Sequence, residues 1–227
     1  MAQILQVDPV APQPERIALA ADCLRRGEVI GIPTDTLYGL AADPFQPAAV
    51  ERIFAVKGRS PDAPVLLLVD SLEMAGSVAK HLPEAFHLLA RRYWPGPLTV
   101  VVEAVERLPA IVTGGTGRVG LRLPAAAIPR ELSRAFGGPI TGTSANRSGQ
   151  PPCQSAPELE ACLGRELPLI LDAGPSPSAV PSTVVGVWEK SWHLIREGAI
   201  RENELEDFLS AHFVRKELPS LHTETSG

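Results

Sequence analysis

The run Val65-Leu-Leu-Leu-Val69 stands between Pro64 and Asp70 with no polar residue inside it. A short, uninterrupted apolar run reads as a strand covered on both faces, and such a strand needs helices to cover it. Helical patterns lie on either side. Pro14 to Arg26 carries Ile17, Ala20, Ala21 and Leu24 on one stripe and stops at Gly27. Pro47 to Val56 turns Val50, Ile53 and Phe54 inward and stops at Gly58. Ser71 to Lys80 and Pro83 to Tyr93 follow as two short helices.

Further strands are expected at Glu28 to Pro33, Leu98 to Glu103, Val119 to Leu123, Pro139 to Thr143 and Leu167 to Leu171. Pro129 to Phe136 reads as a helix. Ser155-Ala-Pro-Glu158 is a capping box that opens another, to Leu163. Thr183 to Val187 and Trp192 to Ile195 flank Trp188-Glu-Lys-Ser191 as a hairpin. Glu202 to Phe213 is an amphipathic helix. Crossovers mixed with hairpins predict a mixed α/β sheet, with its site in the loops at the strand ends.

The 227 residues suit one domain, taken as 1–213, with 214–227 as a polar tail expected to be disordered. A chain this long needs no disulfide or metal to stabilise its core. Three cysteines at spacings that fit no zinc or redox motif read as reduced thiols, so the expected location is cytoplasmic. No 18-residue apolar run occurs, and no membrane partner is expected. A net charge of −5 and only four lysines argue against broad coating of nucleic acid.

Two loops carry the chemistry. Pro33-Thr-Asp-Thr-Leu-Tyr-Gly-Leu40 ends one strand in hydroxyls, a phenol and a glycine. Lys57-Gly-Arg59 ends a helix in two cations, which suits either a phosphate site or a plain helix cap. Arg122 lies in the apolar strand Val119-Gly-Leu-Arg-Leu123 and needs an anionic partner if it faces inward. Arg196 ends the second hairpin strand. Were these four cations to converge, they would suit a polyphosphate beside a carboxylate. Asp35 reads as a turn residue or a poor lone metal ligand. Gly115-Thr-Gly-Arg-Val-Gly120 matches a dinucleotide pattern but precedes a strand and opens no helix. Gly142-Thr-Ser-Ala-Asn146 falls short of a nucleophile elbow, lacking the last glycine.

Together with Pro95-Gly-Pro-Leu-Thr99, Gly120-Leu-Arg122, Ser144-Ala-Asn146 and Ser182-Thr-Val184, these loops resemble the YrdC-like threonylcarbamoyl-AMP synthase family over about Ala18 to Gly198. The resemblance implies a twisted, open mixed α/β sheet with flanking helices and a concave basic cavity. It implies an enzyme that joins L-threonine, bicarbonate and ATP, releases pyrophosphate and feeds threonylcarbamoyladenosine formation on tRNA. By position, Lys57, Arg59, Ser144, Asn146 and Arg196 are expected to bind ATP, with Lys57 and Arg59 acting electrostatically from the cavity surface. Thr36, Arg122 and Ser182 are expected to hold threonine, with Thr34, Tyr38 and Thr143 lining the same space. Mg2+ is expected to arrive with ATP, with no metal held by protein side chains. Downstream tRNA-modification proteins are the implied partners, with weak contact to tRNA itself. Family members often carry a histidine where this chain has Leu68, so that contact is not transferred. The resemblance is to the short, single-domain type. The competing expectations are a module that binds double-stranded RNA or tRNA without catalysis, and a carbamoyl-transfer domain of the hydrogenase-maturation kind.

Overall fold

The computed structural model describes residues 1–210 and 213–216. Its strands form two mixed sheets where a single sheet was expected. The first has five strands: β1 (Gln3–Gln6), β2 (Ile30–Ile32), β3 (Gly39–Ala41), β8 (Thr143–Ser144) and β9 (Leu169–Asp172). Their order is β1-β9-β2-β3-β8. The second has seven: β4 (Leu67–Leu68), β5 (Leu98–Glu103), β6 (Arg118–Arg122), β7 (Ile140–Thr141), β10 (Thr183–Trp188), β11 (Ser191–Arg196) and β12 (Val214–Arg215). Their order is β12-β11-β10-β5-β6-β4-β7.

The helices are α1 (Pro14–Arg25), α2 (Pro47–Lys57), α3 (Leu72–Val78), α4 (Glu84–Tyr93), α5 (Ala110–Thr113), α6 (Ala127–Phe136), α7 (Ala156–Leu163) and α8 (Glu202–Leu209). Their ends follow local chemistry. Pro47 occupies the first turn of α2, and Gly58 ends it in the left-handed conformation at φ 59°. Ser155 caps α7 by accepting the Glu158 amide, and Glu158 reaches back to the Gln154 amide. The last helix ends at Leu209, short of the expected Phe213.

Three apolar clusters hold these layers. One packs α3, α4 and α8 on the seven-stranded sheet. Another packs α2 and α7 on the five-stranded sheet. The third joins α1 and α6 to residues of both sheets, including Ile30 and Ile32 of β2 and Leu68 of β4. The expected strand from Pro139 to Thr143 is really two. Ile140 and Thr141 pair with β4, then Gly142 carries the chain across and Thr143 and Ser144 pair with β3. A Cβ at Gly142 would lie 2.5 Å from Leu68 Cγ, so only glycine lets the chain cross that close. β12 pairs with β11 and draws the first residues of the expected tail into the sheet, while 217–227 lie outside the described residues.

At Gly31 helix and sheet pack close together: an added Cβ would lie 2.5 Å from Leu159 Cδ2 of α7. Gly31→Ala is therefore expected to cost about 1–3 kcal/mol by overpacking, read from chemical denaturation midpoints.

Candidate active site

A cavity of about 670 Å³ opens where the two sheets meet. The five-stranded sheet contributes the loop after β2, through Thr34 and Thr36, and β8, through Thr143 and Ser144. The seven-stranded sheet contributes Leu68, Arg122, Ser182 and Arg196, and Arg59 comes from beyond α2. Gly142 and the apolar residues Val65, Leu66, Val101 and Val184 share the wall. The cavity is thus part cationic, part hydroxyl and part apolar.

The first loop is closed by its own hydroxyl. Thr34 Oγ1 accepts the amides of Thr36 at 3.1 Å and Leu37 at 3.3 Å, and donates to Leu37 O at 2.7 Å. Thr36 Oγ1 then faces Arg122, accepting from its Nη1 at 3.0 Å. Arg122 is 4% exposed; its Nε donates to Gly96 O at 3.0 Å, and Nη2 lies 2.8 Å from Asp35 Oδ1. Asp35 is therefore an ion-pair partner and more than a bare turn residue. The clue was in the sequence: an inward arginine on an apolar strand needs an anion, and Asp35 lies in the loop that faces it.

At the other wall, Ser182 Oγ and Thr99 Oγ1 share a hydrogen bond of 2.9 Å. Arg196 Nη2 donates to Ser182 O at 2.8 Å. Burial, and then the charge of Arg122, lower the Arg196 pKa from its ordinary value. Burial does the same to Arg59. Both costs point to cations held where an anion would repay them.

Lys57 and Asn146 stand differently from expectation. Lys57 is 3% exposed, not at the cavity surface. Its ammonium donates to Ser144 O, to Asn146 O at 2.9 Å and to Asn146 Oδ1 at 3.1 Å. Asn146 in turn spends its amide nitrogen on Arg147 O and Gln150 O. Lys57 is thus the anchor of the loop after β8, and it holds the backbone of Ser144 at the wall. Ser144 Oγ donates to Asn146 Oδ1 at 2.7 Å, and an amide oxygen is no general base, so no activated serine forms here.

Tyr38 contributes to the wall, but its hydroxyl donates to Gly174 O at 2.7 Å and contacts Asp172 Oδ1 at 3.3 Å. With its side chain buried and its pKa raised by that burial, it ties β3 to the end of β9. The glycine-rich stretch 114–120 runs from the end of α5 into β6, with positive φ at Gly114, Gly115 and Gly117, and cradles no helix N-terminus.

One group escaped the sequence reading. Trp188 and His193 stack at 4.1 Å and 12°, and the Arg118 guanidinium lies 4.3 Å from the indole centroid. All three line the cavity. Gly186 pairs with His193 across the hairpin, and a Cβ there would lie 2.4 Å from the imidazole. Burial and then Arg118 hold the His193 pKa down at about 4, so the ring is neutral at neutral pH. Only the pairing register, not the spacing of hydrophobic residues, could have revealed this stack.

The fold and the cavity define an α/β protein with a cation- and hydroxyl-lined cleft at the seam of two sheets. A family model for Sua5, YciO and YrdC, described as telomere recombination, matches residues 22–198. The chain belongs to that family. A threonylcarbamoyl-AMP synthase of Pyrococcus abyssi is 38% identical over 191 residues, 84% of this chain and 56% of that protein. The chain thus spans little more than half the length of that relative. A threonylcarbamoyl-AMP synthase of Alkalilimnicola ehrlichii is 37% identical over 172 residues, 74% of this chain and 90% of its own. The crystal structure of P. abyssi Sua5 complexed with L-threonine matches with a TM-score of 0.88 at 35% identity, over 93% of this chain and 62% of that one.

Burial, with the charge of Arg59 second, lowers the Lys57 pKa from 10.5 to about 8, against a smaller opposing effect of Cys153. Between those values the unfolded chain binds a proton that the folded one has lost, so this group adds stability as pH rises. Yet the loop loses its charged anchor over the same range. An NMR titration of the Lys57 side chain is expected to show a midpoint near 8, with the signals of Ser144 and Asn146 moving in step.

Proposed function

We propose that this chain is a threonylcarbamoyl-AMP synthase, condensing L-threonine, bicarbonate and ATP and releasing pyrophosphate. The observation that carries the reading is the convergence of Arg59, Arg122 and Arg196 with the hydroxyls of Thr36, Ser144 and Ser182 on one cavity. The names of the P. abyssi and A. ehrlichii relatives support it, as does the threonine-bound P. abyssi structure.

In this reading Arg122, Thr36 and Ser182 receive threonine, and Thr34 and Thr143 shape its pocket. Arg59, Ser144 and Arg196 receive the phosphates of ATP, and Lys57 with Asn146 fixes the Ser144 loop for them. Threonine's neutral amine adds to dissolved carbon dioxide with loss of a proton, or to bicarbonate with loss of water, to give a carbamate. A carbamate oxygen attacks the α-phosphorus, and pyrophosphate leaves. That route needs no protein nucleophile. The residues supply alignment and charge stabilisation of the phosphoryl oxygens.

Among the described residues no three His, Cys, Asp or Glu side chains gather as a metal cage. Asp35 already faces Arg122. Mg2+ is accordingly assigned to the substrate, entering as MgATP. Among the described residues no helix is long and apolar enough to cross a membrane. A cytoplasmic site and a hand-over of the labile product to tRNA-modifying proteins complete the proposal. The RNA-binding alternative gains no support from the chain's acidic balance or from the names of its relatives.

Incubation with ATP, Mg2+, threonine and labelled bicarbonate is expected to yield labelled threonylcarbamoyl-AMP by mass spectrometry. Pyrophosphate release should need both threonine and bicarbonate. Arg59→Ala is expected to lower the rate by about 100-fold or more with little change in melting, because its side chain faces the cavity. Pyrophosphate release indifferent to threonine and bicarbonate would sink the reading.

A further inference from the structure

The pair formed by Arg122 and Asp35 is close but poorly aligned. Nη2 and Oδ1 approach to 2.8 Å, yet both atoms are buried and neither has a hydrogen-bond partner of good geometry. Of the five N–H donors of a guanidinium, Nε serves Gly96 O and one on Nη1 serves Thr36 Oγ1. The donors on Nη2 are left facing a carboxylate that they cannot grip. The loop explains why. Thr34 Oγ1 pins the amides on the C-terminal side of Asp35, which fixes the backbone that carries the carboxylate and leaves only side-chain rotation to move it toward or away from the fork.

A charge balanced but not hydrogen-bonded is a stable yet replaceable arrangement. Asp35 offsets part of the cost of burying Arg122. A mobile carboxylate, free to choose its approach, can bond the same edge in the aligned, bidentate way that a guanidinium favours. We propose that Asp35 is the resident counter-ion of Arg122, a placeholder that the carboxylate of an incoming substrate displaces. Asp35 is thus a positioning residue that sets how strongly the cavity takes carboxylates. The inference rests on the synthase reading only for naming threonine as that substrate.

The test is ligand-induced thermal stabilisation of wild type and Asp35→Asn, with L-threonine and with acetate as separate probes. Asp35→Asn keeps the shape and removes the competing charge. Its ligand-free form should melt lower, because Arg122 has lost its counter-ion. Threonine and acetate should each stabilise it more than they stabilise wild type, corresponding to roughly fivefold tighter binding or more. In turnover, KM for threonine should fall while kcat holds or drops.

Equal ligand-induced shifts in the two proteins, with KM and kcat worsening together, would mean that the pair is merely structural and would overturn the proposal. A larger acetate shift in Asp35→Asn, with no threonine response in either protein, would support the counter-ion and refute the synthase reading. Asp35→Glu keeps the charge, and its longer arm can reach an aligned contact. It should therefore bind threonine more weakly than wild type while staying folded. Unchanged or tighter threonine binding in Asp35→Glu would count against the proposal even if Asp35→Asn fails to fold.

Discussion

Arg122 sits on an apolar strand with 4% of its surface exposed, and the site is organised around that fact. An isolated buried guanidinium would cost more than the chain's net stability allows. It is tolerated because three segments converge on it: the Gly96 turn before β5, and Thr36 and Asp35 beyond β2. β6 belongs to one sheet, and the Thr34–Asp35–Thr36 loop belongs to the other. Arg122 thus bridges the two sheets at the wall of the cavity between them.

A second polar anchor holds the opposite rim. Lys57, at the end of α2, gathers Ser144 O and both oxygens of Asn146. Gly142 brings β7 and β8 to this point by letting the backbone pass against Leu68. Leu68 therefore serves packing at the seam as well as forming an apolar patch of the cavity wall. Between the two anchors the hydroxyls and the Arg59 and Arg196 side chains face shared space. The arrangement suits the proposed reaction, whose demands are alignment and charge stabilisation because its substrates would bring their own nucleophile and leaving group.

Most of the fold was legible because burial writes long patterns. Leu98–Glu103, the Thr183 hairpin and the α2 stop at Gly58 appear where periodicity and turn residues put them. Two of the shorter strands were not legible. Gly39-Leu-Ala41 has no β-branched residue, and Gln3–Gln6 is an edge strand whose alternation is too brief to read. The break at Gly142 depends on contact with Leu68, 74 positions earlier in the chain, which no local pattern encodes. In the site, the sequence marked Thr36, Arg59, Arg122, Ser144, Ser182 and Arg196, which share the cavity wall, but not which way every side chain points. Tyr38 and Lys57 turn their polar ends onto the protein itself, and Asp35 acquires its partner only through the meeting of the two sheets.

The account stands on Arg122 reading a carboxylate through its fork and not through charge alone. Calorimetric titration of L-threonine into wild type and Arg122→Lys tests this most directly, since lysine keeps the charge and loses the planar donor pair. The account predicts threonine affinity weakened at least about tenfold, with ATP affinity nearly unchanged, as expected when an aligned ionic contact worth on the order of 1.5–3 kcal/mol is lost. Threonine bound by Arg122→Lys as tightly as by wild type would contradict it.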